Sequence, residues 1–210
     1  MNVPGDLTTA LPDLRDLIGD RDYLVDETLT GALAAGETIT GVEFDGCTFT
    51  GCTAAEALFV RCTFTDCRFI GCDLSMLTLT DSRLVGGAFE RCKMLGISFA
   101  ALVSPLAVEP IRFEDCRLDF ASFRGVELPG ATWQGCILRE ADFGEAVLTG
   151  VTFPDSDLST ATFTGTDLRD ASLVGARGYA FDVRDNRVRG LRVDADEGAR
   201  LLEVLGLHVE

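Results

Sequence analysis

Apolar residues in this chain recur every five positions, a spacing that suits neither an amphipathic helix nor a flat strand. In a first block they fall on Ile39, Phe44, Phe49, Ala54, Phe59, Phe64, Phe69, Leu74, Leu79, Leu84, Phe89, Met94 and Phe99. In a second block, one step out of phase, they fall on Phe113, Leu118, Phe123, Leu128, Trp133, Leu138, Phe143, Leu148, Phe153, Leu158, Phe163, Leu168 and Leu173. Two residues before these centres runs a column of small residues: Val42, Cys47, Cys52, Ala57, Cys62, Cys67 and Cys72, then Cys116, Ala121, Val126, Ala131, Cys136 and Ala141. Glycine recurs two residues after the centre, as at Gly41, Gly51, Gly71, Gly125 and Gly150. A repeat sustained this long sets the architecture.

Residues two apart face the same side of an extended segment, so the small residue and the centre both point inward. The residue between them points outward, where Thr48, Arg68, Asp73, Lys93, Arg117 and Asp142 stand. The remaining two residues turn the chain, and glycine there meets the positive φ of a tight corner. Each unit is one short strand and one corner, and successive coils stack as parallel strands about 4.8 Å apart. A three-sided coil would put phenylalanine over leucine on every side of the second block. A four-sided coil stacks Phe113, Trp133 and Phe153 in one column and Leu118, Leu138 and Leu158 in the next. Cys52, Cys72 and Cys92 agree with that period. The expected fold is all-β, a quadrilateral parallel β-helix with four five-residue sides per coil and about eight coils.

Units such as CTFTG, CRFIG, ADFGE, TDLRD and ASLVG resemble those of the pentapeptide-repeat proteins. The resemblance covers residues 24–193 and implies a right-handed β-helix. Within that family the chain is similar to the Qnr, MfpA and albicidin-resistance type. That likeness rests on length, on one interruption after CKMLGISF, and on the ending GLRVDADEGARLLEVLGLHVE.

Composition narrows the function. With 210 residues and 47% hydrophobic content, the chain suits one domain with a sizeable core. No apolar run is long enough for a membrane span, and MNVPGDLTTALPDLRDL lacks the basic head of a secretory signal. The formal charge of −16 argues against direct binding to nucleic acid or an anionic membrane. All eight cysteines lie in the small inward column, without a C-x-x-C pair, and His208 is the sole histidine. They read as core packing in a reducing cytoplasm, with no metal ligation and no cofactor.

Three segments interrupt or bound the coil. Residues 1–23 precede the clear beat, and Leu7, Leu11, Leu14, Leu17 and Ile18 could line a short helix ended by Gly19. Such a segment covers the open end of a coil. Between Phe99 and Phe113, residues 100–112 carry Pro105 and Pro110 and read as a loop pushed out of the wall. Residues 194–210 read as a C-terminal helix and tail, with Asp194 or Asp196 as N-cap, Gly206 as stop, and Leu201, Leu202 and Leu205 as apolar face. Ahead of it Arg184, Arg187, Arg189 and Arg192 form the basic zone. Both the loop and the acidic surface have plain readings, as a tolerated bulge and a solubilising coat.

No serine–histidine pair, phosphate-cradling loop or paired carboxylate cleft is present, so no catalytic residue is assigned and the chain is not read as an enzyme. The resemblance implies a DNA-mimicking binding protein that engages a type II topoisomerase, DNA gyrase, and protects it from a drug or toxin. In Qnr-type proteins a loop in this region contacts the topoisomerase, which implies that role for Leu102, Val103, Ser104, Pro105, Leu106, Val108 and Glu109. The unbroken beat from Phe44 to Phe99 leaves no second, earlier loop, as in the loop-poor members. Asp115, Asp119, Glu127, Asp142, Asp157 and Asp167 are the candidate acidic surface. The resemblance also implies a homodimer through the C-terminus, with Leu201, Leu202, Leu205 and Leu207 at the interface. The alternative is a scaffolding repeat protein with an unrelated protein partner; an enzyme with a site on the outer wall is the third reading.

Overall fold

A computed structural model describes residues 14–103 and 110–208. After a short helix α1 (Leu14–Ile18), the chain winds into a parallel β-helix whose strands are two or three residues long. One face stacks β1 (Tyr23–Val25), β4 (Glu43–Asp45), β7 (Thr63–Thr65) and β10 (Arg83–Val85). The next stacks β2 (Thr28–Leu29), β5 (Thr48–Thr50), β8 (Arg68–Ile70), β11 (Ala88–Glu90), β12 (Arg112–Glu114) and β13 (Thr132–Gln134). A third stacks β3 (Thr38–Thr40), β6 (Leu58–Val60) and β9 (Thr78–Thr80). The fourth is joined by single bridges that run through Thr53, Asp73, Lys93, Arg117, Ile137, Asp157 and Arg177. Phe44 pairs with Phe64, and Phe113 with Trp133, so the four-sided, twenty-residue coil expected from the alternation is the one formed.

The interruption is narrower than 100–112. Phe89 pairs with Phe113, twenty-four residues on instead of twenty, so this coil carries four extra residues. The wall continues to Val103, whose N–H donates to the Ser82 carbonyl at 2.9 Å, and is back in place at the buried Ile111.

Nearly every corner uses a left-handed residue, and the chain supplies it with or without glycine. Gly51 and Gly71 sit at φ near 60°, but so do Asp26, Glu56, Arg61, Met76, Phe120 and Thr160. Gly87 has a second constraint, because a Cβ there would collide with the Cys67 carbonyl.

The inward small column does more than fill space. In most of the extended units a side chain one coil further on donates to the centre carbonyl. Cys72 Sγ reaches Phe49 O at 3.3 Å, Cys92 reaches Phe69 O at 3.3 Å, and Cys136 reaches Phe113 O at 3.5 Å. Ser82, Ser156 and Asn186 do the same for Phe59, Trp133 and Phe163 at 3.1, 2.8 and 3.0 Å. Where the unit instead turns sharply, the N–H three residues on closes the carbonyl, as from Ala121 to Leu118 at 3.0 Å, and the column residue above is Ala141. Cysteine therefore marks an extended corner one coil below, and alanine a tight one. Burial pushes the Cys67 thiol up to about 12, so it stays protonated and able to donate.

Inside, aromatic rings stack in two long columns that meet edge to face, and Phe44 stacks on Phe64 at 5.0 Å on the face of β1. Phe113, Trp133 and Phe153 are stacked with centroids 5.3 and 4.7 Å apart, and Phe123 stands at 85° to Trp133. Leucines fill most of the other two faces, with Ala54 and Met94 among them on the bridged face. The residual interior void, about 30 Å³ beside Phe59, Leu79, Leu84 and Phe99, has room for one water at most.

Both described ends are closed. Leu14 and Ile18 of α1 are buried, while Leu17 is exposed; Leu7 and Leu11 lie outside the described residues. At the other end a 3₁₀ turn (Val183–Asp185) leads to α2 (Ala195–Val204). Asp194 is its N-cap, but its carboxylate accepts from Gly175 N–H at 2.7 Å rather than from the helix. Glu197 accepts from Gly178 N–H at 2.7 Å. These two acids satisfy amides that the last coil would leave bare.

The carbonyl rule is testable at Cys136. Cys136→Ser keeps a donor of the kind found at Ser156, whereas Cys136→Ala leaves the Phe113 carbonyl without one. Urea unfolding is expected to show a loss of about 1–3 kcal/mol for the alanine variant and a clearly smaller loss for serine.

Candidate partner-binding surface

The six candidate carboxylates lie on different faces and in different environments. Glu127 and Asp167 belong to the face of β1, Asp119 and Asp157 to the bridged face, and Asp142 to the face of β3. Asp115 occupies a corner at φ 51°. Only Asp115 and Glu127 are fully exposed; Asp142 is half-buried, and Asp119, Asp157 and Asp167 are buried.

Guanidinium groups hold two of these buried carboxylates, Asp157 and Asp167, whereas Asp119 Oδ2 accepts no hydrogen bond among the described residues. Asp157 Oδ2 accepts from Arg139 Nη2 at 2.9 Å and Arg177 Nη2 at 3.3 Å, and its Oδ1 accepts from the Ser159 hydroxyl at 2.6 Å. Burial alone would raise this carboxyl, but the bonds from Ser159, Arg139 and Arg177 outweigh it and hold it at about 2. Asp167 accepts from Arg169 Nη2 at 2.6 Å and lies 3.6 Å from Arg187. Arg169 keeps its carboxyl below the usual range against the opposing effect of burial. Asp119 lies 3.5 Å from Arg117, and Asp142 3.5 Å from Arg124. The bridged face thus alternates Asp73, Lys93, Arg117, Asp119, Arg139, Asp157 and Arg177, and much of its charge is internally cancelled. Glu114, Glu140 and Asp170, not singled out in the sequence, are exposed and add to what Asp115 and Glu127 present.

Of the candidate loop, Leu102 packs against the core and Val103 is exposed. Ser104, Pro105, Leu106, Val108 and Glu109 lie outside the described residues. A recess of about 320 Å³ lies where the wall resumes, lined by Asp66, Arg68, Gly87, Ala88, Glu90 and Arg112. Arg68 pairs with Glu90 at 2.5 Å across it.

On α2, Leu201 is buried against the chain's own last coil. Leu202 and Leu207 are exposed and Leu205 is half-buried. An apolar groove of about 380 Å³ runs beside them, lined by Val183, Val193, Ala195, Ala199, Leu202 and Leu205. Among the described residues no group of His, Cys, Asp or Glu could hold a metal ion, and no helix is long and apolar enough to cross a membrane.

Comparison with known proteins places this geometry in a family. A model of the pentapeptide repeat region matches residues 42–123, and one of pentapeptide repeats matches 116–153 and 141–177. The chain belongs to the pentapeptide-repeat family. Among solved structures it is similar to full-length QnrB1, a plasmid-mediated fluoroquinolone resistance protein. The TM-score is 0.67 and the identity 20%, covering 88% of this chain and all (100%) of that one. A trypsin-treated QnrB1 variant matches with TM-score 0.68 and 22% identity over 90% of this chain and 97% of that one. HetL, a pentapeptide-repeat protein of the cyanobacterium Nostoc, reaches a TM-score of 0.37 at 18% identity, covering 85% of this chain and 92% of that one. No functionally curated protein matches the sequence.

Asp157 gives the pH test. A carboxyl depressed in the folded state stabilises above its unfolded pKa, near 3.8, and that contribution is lost as pH falls through about 2. Asp157→Asn is expected to cost about 2 kcal/mol at neutral pH and to flatten the acid limb between those values. Denaturant unfolding at stepped pH reads both effects, and Asp115→Asn should leave stability unchanged.

Proposed function

We propose that this chain is a DNA-mimicking binding protein that engages a type II topoisomerase, DNA gyrase, and protects it from a drug or toxin or modulates its response to one. The observation that carries the reading is the likeness along most of its length to QnrB1, a fluoroquinolone resistance protein. The net charge of −16, on a coil whose interior is closed by its own side chains, supports it. The action is binding rather than catalysis. Exposed carboxylates, Asp115 and Glu127 among them, take the place of phosphates on the enzyme's DNA-binding surface, and the loop from Leu102 to Glu109 tunes the contact. Two copies join through α2, with Leu202, Leu205 and Leu207 closing the apolar groove. The cytoplasm, which keeps the eight buried thiols reduced, is the fitting location.

One observation favours a second reading. Asp119, Asp157 and Asp167 are shielded by guanidinium groups, so a scaffold that binds an unrelated protein partner would need less surface charge than the formal total suggests.

Gyrase supercoiling with purified protein titrated in, alone, with a fluoroquinolone and with a natural gyrase toxin, tests the proposal. The expected result is inhibition of supercoiling, or its rescue from either poison. No effect in all three conditions at stoichiometric excess contradicts the topoisomerase reading.

A further inference from the structure

Among the described residues the two most exposed large apolar side chains are Phe120, 59% exposed, and Met76, 58% exposed. They share one corner of the coil. The N–H groups of Glu56, Met76, Gly96 and Phe120 each donate to the coil above, so Glu56, Met76, Gly96, Phe120 and Glu140 form one continuous edge. Met76 and Phe120 both sit at positive φ, 55° and 61°, where a bulky side chain is a genuine outlier. Elsewhere on the coil this place is held mostly by glycine or a charged residue. Met76 also lies across Gly96, where a Cβ would collide with its sulfur, so the thioether extends along the edge toward Phe120. Leu95, half-buried beside it, widens the apolar strip.

Neither side chain contributes to the core, and each occupies a backbone conformation that disfavours it. The corner itself dictates that conformation, and core packing gives no reason for a bulky apolar side chain to stand there. The strip ends in carboxylates, with the exposed Glu56 below and Glu140 above, roughly 19 Å apart at the normal strand spacing. Carboxylates that replace phosphates give such a ridge no role, so it adds an apolar anchor of the kind protein contacts use beside the charged surface.

We propose that the edge Glu56–Met76–Gly96–Phe120–Glu140 is a protein-docking ridge. Its partner is an apolar recess flanked by cationic side chains, into which Phe120 and Met76 insert while the two glutamates meet the cations. The inference rests on the topoisomerase reading and assigns this ridge to that partner.

The test compares the wild-type chain with Met76→Asn/Phe120→Asn, since asparagine tolerates the left-handed conformation and removes the apolar surface. Two quantities are read: the thermal midpoint, and the affinity for purified DNA gyrase at several salt concentrations. The midpoint is expected to hold or rise, and the affinity to fall at least tenfold with an unchanged salt dependence. A lowered midpoint makes the two side chains structural and overturns the proposal. Equal gyrase affinity of variant and wild type overturns it while leaving the topoisomerase reading intact. A change of sedimentation behaviour in place of gyrase affinity makes the ridge a contact between copies of this chain, which also overturns it. No binding of gyrase by the wild-type chain overturns the topoisomerase reading and the assignment of the ridge with it.

Discussion

A buried backbone carbonyl at the centre of each extended unit has to find a donor, and the architecture follows from how that need is met. A strand of two or three residues offers too few ladder bonds to satisfy its own corner. The missing donor comes from the coil stacked above, through Cys, Ser or Asn placed two residues before the next centre. This ties each coil to its neighbour at a fixed register and leaves little freedom to slip, because a shift of one residue would send the donor outward. Among the described residues three extended units lack such a side chain, Phe64, Leu79 and Leu84, where the matching positions hold Gly87, Leu102 and Ile111. All three adjoin the coil that accommodates four extra residues, and the small interior void lies there as well. The wall opens where the carbonyl pattern is weakest.

A coil built this way presents flat faces and rigid edges rather than a cleft, so its function is read from what stands on them. The nominal acidity of the chain overstates what a partner meets. Long guanidinium side chains fold back onto Asp157 and Asp167 and convert those carboxylates into parts of the scaffold. The field available outside comes from residues such as Asp115, Glu127, Glu114, Glu140 and Asp170. The acids at the start of α2 are likewise committed, to the open edge of the last coil. Charge is spent on closing the structure first, and the remainder faces outward.

Much of this was legible in the sequence, because one side-chain period governs the whole coil. The alternation of Phe and Leu centres in the second block allowed only a four-sided stack, and the pairing of Phe113 with Trp133 shows it. The cysteines were legible as buried but not as donors, since spacing alone does not distinguish an extended corner from a tight one. The pairing of Asp157 with Arg177, and of Asp167 with Arg187, joins residues twenty apart and could have been read from the register. The acids taken alone do not reveal it, because the partner in each column is a base. Met76 and Phe120 stand outside the period of inward residues, at corner places that glycine marks elsewhere, and a large apolar residue in such a place carries the stronger signal. The last coil keeps the register at Arg187 and Arg192, with Phe181 and Asn186 inward, although Val183 itself enters a 3₁₀ turn.

The central functional claim is that exposed, unshielded carboxylates carry binding to a topoisomerase. Equilibrium binding of purified gyrase to the wild-type chain and to Asp115→Asn/Glu127→Gln, followed as salt is raised, tests it most directly. The account predicts a wild-type affinity that falls steeply with salt, and a variant with weaker binding and a shallower slope. An affinity that does not respond to salt, or is equal in the two proteins at every concentration, would contradict it.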